Sequence, residues 1–265
     1  MRSVRFQTGI TMLLLSVFSC VCTEVYGTTI VVMRAGRSVV LAADSLAIVN
    51  HEKNNICKIR KAGHIFFAIA GTESTEQFHA FALAEKAISQ TGSLRAAAKA
   101  FMNMVSGPFE EALTRLRNER PSDYAEIRSK EQPLEAAFAA IENGVPKYVI
   151  VTFTITQNSN GRISVAAQYK PCPGSACPSS TTDINILGEN AAATKKFARL
   201  ARNDADAVSV SRKLIETEIT SRPGTVGPPI SILVIGPSGQ TWIEQGECKK
   251  PDTKNKSAKN TTHRN

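Results

Sequence analysis

Residues 29–43 read Thr29-Ile30-Val31-Val32-Met33-Arg34-Ala35-Gly36-Arg37-Ser38-Val39-Val40-Leu41-Ala42-Ala43. Two runs of β-branched and apolar residues flank Ala35-Gly36-Arg37-Ser38, which predicts a hairpin. A second pair of strands is expected at 56–59 and 65–70, turned at Lys61-Ala62-Gly63. The period then changes. Phe78, Phe81 and Ile88 mark one helix, and Leu94, Ala97, Ala98, Phe101, Met102 and Val105 recur at helical spacing behind a capping Ser93. Gly107-Pro108 is expected to interrupt that helix, with Phe109, Leu113 and Leu116 on a separate piece and the polar residues 120–132 forming a loop. Strands return at 135–141, 148–156 and 162–169, followed by a short strand at 183–187. Helices near 189–202 and 204–220 and a hairpin of 230–235 with 241–244 complete the series. This order is not the alternation of a parallel βαβ fold. It predicts an α+β domain, a four-layer αββα sandwich of two antiparallel sheets flanked by helices.

The chain has 265 residues, 42% hydrophobic and 21% charged, proportions that exclude a disordered protein, a collagen or a coiled coil. The net charge of +9 is concentrated at the ends: residues 1–27 carry +1 and 249–265 carry +5, leaving +3 on 28–248. The body has no basic stripe interleaved with aromatics, so nucleic acid is not an expected partner. The tail 249–265, rich in Lys, Asn and Thr without an apolar period, reads as disordered. It carries the glycan acceptor patterns Asn255-Lys256-Ser257 and Asn260-Thr261-Thr262, meaningful only in a eukaryotic host.

Arg2 and Arg5, then the apolar run 9–18, then the more polar 19–27, follow the order of a secretory signal peptide. The apolar run is too short to span a bilayer. Val25-Tyr26-Gly27 offers a cleavage site that makes Thr28 the first residue of the mature chain. A cut after Cys22 would instead leave a propeptide of residues 23–27, and Cys20 is a weak candidate for lipidation because Phe18 is bulky. The organisation expected is therefore 1–27 as signal peptide and propeptide, 28–248 as one domain and 249–265 as tail, in a secreted or periplasmic protein.

Export favours disulfides among Cys57, Cys172, Cys177 and Cys248. Cys172 and Cys177 sit in a Pro/Gly loop suited to a local bridge; Cys57 with Cys248 follows only if that bridge forms. Zinc is disfavoured, because the spacing is wrong and none of His51, His64, His79 and His263 forms a ligand pair.

Four elements carry chemistry: Gly27-Thr28-Thr29-Ile30-Val31, Ala43-Asp44-Ser45 after the second strand, Cys57-Lys58-Ile59, and Ala68-Ile69-Ala70-Gly71-Thr72. Together they resemble the proteasome β-subunit family of N-terminal nucleophile hydrolases, which includes bacterial proteasome-like peptidases. In that family a propeptide ends in Gly and the following Thr becomes the nucleophile. The resemblance covers 27–90 closely and 133–245 in pattern alone; the spacing from Thr28 to Asp44 matches, while the loop from Asp44 to Lys58 is about two residues short. It implies the N-terminal nucleophile fold, with Thr28, Asp44, Lys58 and Gly71 as catalytic residues and Ser45, Ala47 and Ile48 lining the substrate channel. No cofactor or metal is implied. Family members commonly stack into rings, so a homo-oligomer is implied, although no ring follows from the residues themselves.

The chemistry supports the same positions. A free α-amine has a reference pKa of about 7.7–8.0 and can take the proton of its own residue's hydroxyl. Lys58 near that amine would disfavour its protonation and hold Thr28 Oγ by a hydrogen bond, with Asp44 as counter-ion. The N–H of Gly71, a residue without Cβ, would receive the developing oxyanion. No nucleophile-elbow motif for a serine hydrolase is present.

Two departures stand against this pattern. Leu187-Gly188-Glu189-Asn190 has Glu189 where the family has a Ser, and the stretch 222–229 lacks the acidic residue the family places there, leaving Glu189 or Thr225 as replacements. The leading expectation is an exported threonine-nucleophile peptidase acting on a peptide or amide substrate. The alternatives are a small-amide acylase of the same fold and a noncatalytic secreted module used for binding or assembly.

Overall fold

The computed structural model describes residues 24–49, 52–75, 78–175, 177, 182–200 and 206–248. Residues 1–23 with Cys20 and Cys22, most of the segment expected to be a signal peptide and propeptide, the tail 249–265 with its glycan patterns, and His51 and His263 lie outside the described residues.

In chain order the elements are β1 (Glu24–Tyr26), β2 (Thr29–Ala35), β3 (Ser38–Ala43), β4 (Leu46–Val49), β5 (Glu52–Asn55), β6 (Ile59–Ala62), β7 (Ile65–Ser74), α1 (Ala80–Ser89), α2 (Leu94–Glu119) and α3 (Pro121–Ser129). Then follow β8 (Leu134–Glu142), β9 (Val145–Gln157), β10 (Ile163–Cys172), β11 (Asp183–Gly188), α4 (Ala191–Leu200), α5 (Ala207–Ser221), β12 (Ser231–Gly236) and β13 (Gly239–Glu244). One sheet runs β1-β7-β8-β9-β10 with β6 also on β7, and the other runs β11-β2-β3-β12-β13; every pairing is antiparallel. A small hairpin, β4 with β5, stands apart.

The near-continuous apolar strands are explained by burial on both faces. Ile30 and Val32 of β2 and Leu41 of β3 point into a core shared with Phe66, Ala68, Ala137 and Ala139 of the other sheet. Val31, Met33, Val40 and Ala42 point the other way, onto Val210, Leu214 and Ile215 of α5. Ile65, Phe67, Ile69 and Phe138 pack beneath Phe81 of α1 and Phe101 and Phe109 of α2. The layers are thus helices, sheet, sheet, helices. Alanines 68, 70, 137 and 139 face the other sheet and let the two approach closely.

Two expectations for the helical region are corrected. Gly107-Pro108 does not end the helix: α2 runs unbroken with Pro108 inside it. A proline costs an N–H and a steric clash, but Val105, Phe109, Ala112, Leu113 and Leu116 keep one face buried across it, and that packing outweighs the break. Residues 120–132 contain α3 rather than only loop; Pro121 begins it, and Tyr124 and Ile127 are buried. Among the described residues no helix is long and apolar enough to cross a membrane. Both cysteine pairs are joined, Cys57 to Cys248 and Cys172 to Cys177.

Candidate active site

The hairpin register decides where the first charged group falls. β2 and β3 pair with Ala35 opposite Ser38 and Ile30 opposite Ala43. The next residue on the returning strand is Asp44, which therefore arrives across from Thr29. The Asp44 N–H donates to the Thr29 carbonyl at 3.3 Å, and the Thr29 N–H donates to Asp44 Oδ1 at 2.9 Å. Oδ2 accepts from the N–H groups of Leu46 at 3.2 Å and Gly227 at 3.1 Å.

Lys58, just ahead of β6, completes the shell. Its Nζ donates to Asp44 Oδ1 at 2.9 Å, and both side chains are wholly shielded from solvent. Burial raises the Asp44 carboxyl and lowers the Lys58 ammonium, and each charge pulls the other back. The charge of Glu73 also favours the lysine cation. Lys58 Nζ makes a further bond at 3.2 Å, to the carbonyl oxygen of Gly27. The ammonium therefore touches the peptide bond that links Gly27 to Thr28.

Thr28 is fully buried. Its carbonyl accepts from the Glu189 N–H at 2.8 Å, while Thr29 Oγ1 donates to the Glu189 carbonyl at 2.7 Å, so one residue's backbone clasps both threonines. Thr28 Oγ1 is buried with no hydrogen-bond partner among the described residues. The expected bond from Lys58 to this oxygen is not made while Gly27 is attached, because the lysine is engaged by the Gly27 carbonyl and Asp44.

Gly71 lies in β7 at φ +96°, and a Cβ there would stand 2.3 Å from the Pro133 carbonyl oxygen. Its glycine is thus demanded by its own backbone, a reason beyond the room for an incoming carbonyl. Gly71 is also the register partner of Tyr26. Since β8 borders β7 on one side, β6 and β1 share its other edge, β6 along 65–68 and β1 along 71–74. β1 packs as well against β4. The residues ahead of Thr28 therefore run between β7 and the segment that holds Ser45, Ala47 and Ile48. Ser45 and Ala47 are fully buried, and Ile48 is half-buried.

At the two departures the geometry is specific. The Glu189 carboxylate is paired with Arg222, at 2.9 Å, and Lys130, at 3.9 Å. Thr225 lies against Gly27, and its Oγ1 is buried with no partner among the described residues. Two residues later, Gly227 holds Asp44 through its N–H and receives the Ser45 N–H at 3.1 Å. The stretch 222–229 supports the site with backbone where an acid was expected.

Sequence reasoning missed Glu135, although an acid inside the apolar run Leu134-Glu135-Ala136-Ala137-Phe138 is a readable signal. It is 4% exposed, and its Oε2 accepts from the Gly188 N–H at 2.6 Å. Burial pushes its carboxyl up from 4.5 to about 7. With Gly71, Gly188 and Glu189 it borders a cleft of about 680 Å³. A carboxyl held this high favours the folded state at pH below its ordinary value, and that contribution is lost as pH rises through about 7. Glu135→Gln keeps an oxygen for Gly188 and removes the charge. Relative to the parent it should gain up to about 3 kcal/mol between pH 4.5 and pH 8, read from urea unfolding at both pH values. Parallel pH–stability curves for the two proteins would reject this assignment.

No family model matches the chain, and no curated protein matches it. Among solved structures it is similar to Thiobacillus denitrificans BPH in complex with epoxomicin, at 15% identity and a TM-score of 0.44, covering 78% of this chain and 98% of that one.

Proposed function

We propose that this chain is an exported threonine-nucleophile hydrolase of peptide amides, with the N-terminal nucleophile fold, whose mature form begins at Thr28. The observation that carries the reading is the buried Lys58–Asp44 pair set against the Gly27–Thr28 peptide bond. A carbonyl touched by an ammonium is polarised, and the hydroxyl of the next residue is the neighbouring nucleophile. Removal of Gly27 frees the α-amine of Thr28 and leaves Lys58 a partner short. That amine then serves as general base. Thr28 Oγ attacks the substrate carbonyl as its proton passes to the amine, the C–N bond breaks with that proton moving to the leaving nitrogen, and water hydrolyses the ester. Gly71 would supply the oxyanion N–H, and Ser45, Ala47 and Ile48 would flank the substrate strand.

Thr28→Ala should abolish hydrolysis of peptide amides. It should change stability little, since the buried Thr28 oxygen has no partner to lose. The check is intact mass of the secreted protein together with turnover and thermal melting of both forms. A mature chain that keeps residues ahead of Thr28, or turnover unchanged by Thr28→Ala, would sink the reading and favour a noncatalytic module.

A further inference from the structure

The cleft beside Gly71 lies on one side of the site. Among the described residues that line it, Gly71 is the one with a proposed catalytic role, and Ser45, Ala47 and Ile48, which would flank the acyl half of a substrate, do not border it. Part of its lining is a row of register partners in the larger sheet, Glu135 of β8, Thr152 of β9 and Gln168 of β10. Glu135 itself is opposite Ala70, the residue before Gly71. The cleft therefore leads from the oxyanion position to the side of β7 away from β1 and β4, which leaves it for the amine half of a substrate.

Glu135 is the member of this row that lacks a counterpart. Its Oε2 accepts from the Gly188 N–H at 2.6 Å, while its Oε1 makes no hydrogen bond among the described residues and is left at the cleft surface. No ion pair reaches it among the described residues. Lys130 is paired with Glu189 at 3.9 Å, and Lys170 with Asp183 at 3.2 Å. Exposed Glu131 adds to the effect of burial and favours the uncharged carboxyl. A carboxylate this buried is costly until something brings it a cation. Thr28 is one residue away: Gly188, whose N–H is on Glu135, would place a Cβ 2.0 Å from the Thr28 carbonyl oxygen.

We infer that Glu135 selects substrates whose amine half begins with a basic residue, lysine or arginine, with the cation seated on Oε1 in the cleft. The inference rests on the hydrolase reading above and adds its substrate class. Glu135 is a specificity residue and makes or breaks no bond; the proton from Thr28 Oγ still goes to the leaving nitrogen. A long stem with a charged head suits the span past Gly188.

A peptide library produced by cleavage after acidic residues tests this on the mature protein. Mass spectrometry of the products should show lysine and arginine enriched about 10-fold or more at the first position after the cut. Thr28→Ala should give no products. Absence of enrichment, with Thr28→Ala inactive, overturns the inference and leaves the hydrolase reading standing. Glu135→Gln, which keeps an oxygen for Gly188, should lose the enrichment; undiminished enrichment in this variant also overturns the inference. A cleaved sequence resynthesised with lysine or with norleucine, which has no charge, gives a readout on the parent alone. The lysine-to-norleucine ratio of kcat/KM should rise up to about 10-fold from pH 6 to pH 8, as Glu135, held at about 7, ionises beneath a lysine that stays charged. The other charged groups around it are Lys130 and Glu131 ahead of β8, Lys170 of β10 with Asp183 of β11, and Glu189 with Arg222; no histidine lines the cleft among the described residues. A ratio that stays flat overturns the inference, and decides it if Glu135→Gln fails to fold. A parent that cleaves no peptide ends the hydrolase reading and this inference together.

Discussion

Asp44→Ala should destabilise the protein by about 3–5 kcal/mol and leave the bond between Gly27 and Thr28 uncut. The carboxylate is the shared acceptor for Lys58 Nζ and for the backbone N–H groups of Thr29, Leu46 and Gly227. Removing it strands a buried cation and three donors at once. Asp44→Ala combined with Lys58→Met should recover much of the lost stability, since no unpaired charge remains buried, and should recover no cleavage. Urea unfolding and intact mass measure the two effects separately. A loss below about 1 kcal/mol for Asp44→Ala would mean that the pair is not sealed from water as described.

The second large effect is expected at Gly188. It has φ +77°, and a Cβ there would stand 2.0 Å from the Thr28 carbonyl oxygen and 3.0 Å from Ala70 Cβ. Gly188→Ala therefore adds left-handed strain to a collision with Thr28, the proposed nucleophile, together about 2–4 kcal/mol. Relief by moving Thr28 would break the bond from the Glu189 N–H, and a shift near 1 Å should lower turnover about 100-fold. Gly36→Ala is the control. Its φ is +56°, but nothing lies within 4 Å of the added methyl, so only the strain of about 1–2 kcal/mol should appear and turnover should hold. Equal losses of turnover in the two variants would remove Gly188 from the site.

Much of the architecture was legible because its strands are buried on both faces. Residues 29–43 show a hairpin in their composition, and the register of that hairpin already implies Asp44 opposite Thr29. Other elements were not legible. β5, Glu52-Lys53-Asn54-Asn55, is exposed throughout and has no alternation to read. The continuity of α2 through Pro108 depends on residues far along the chain, such as Phe138 and Phe153, that cover its apolar face. Glu189 and Thr225 were noticed as replacements, yet the backbone clasp of Glu189 and the contact of Thr225 with Gly27 depend on pairings across more than 150 residues.

By itself the amino-acid order determined most of the strand and helix series, because these follow from side-chain period and short-range turns. Only the tertiary structure decided that Lys58 meets both Asp44 and Gly27, that Glu135 is buried beneath Gly188, and that Thr225 closes on Gly27. Those contacts join segments whose separation along the chain carries no periodic signal, and they are chosen by which buried polar groups can satisfy one another when the two sheets close.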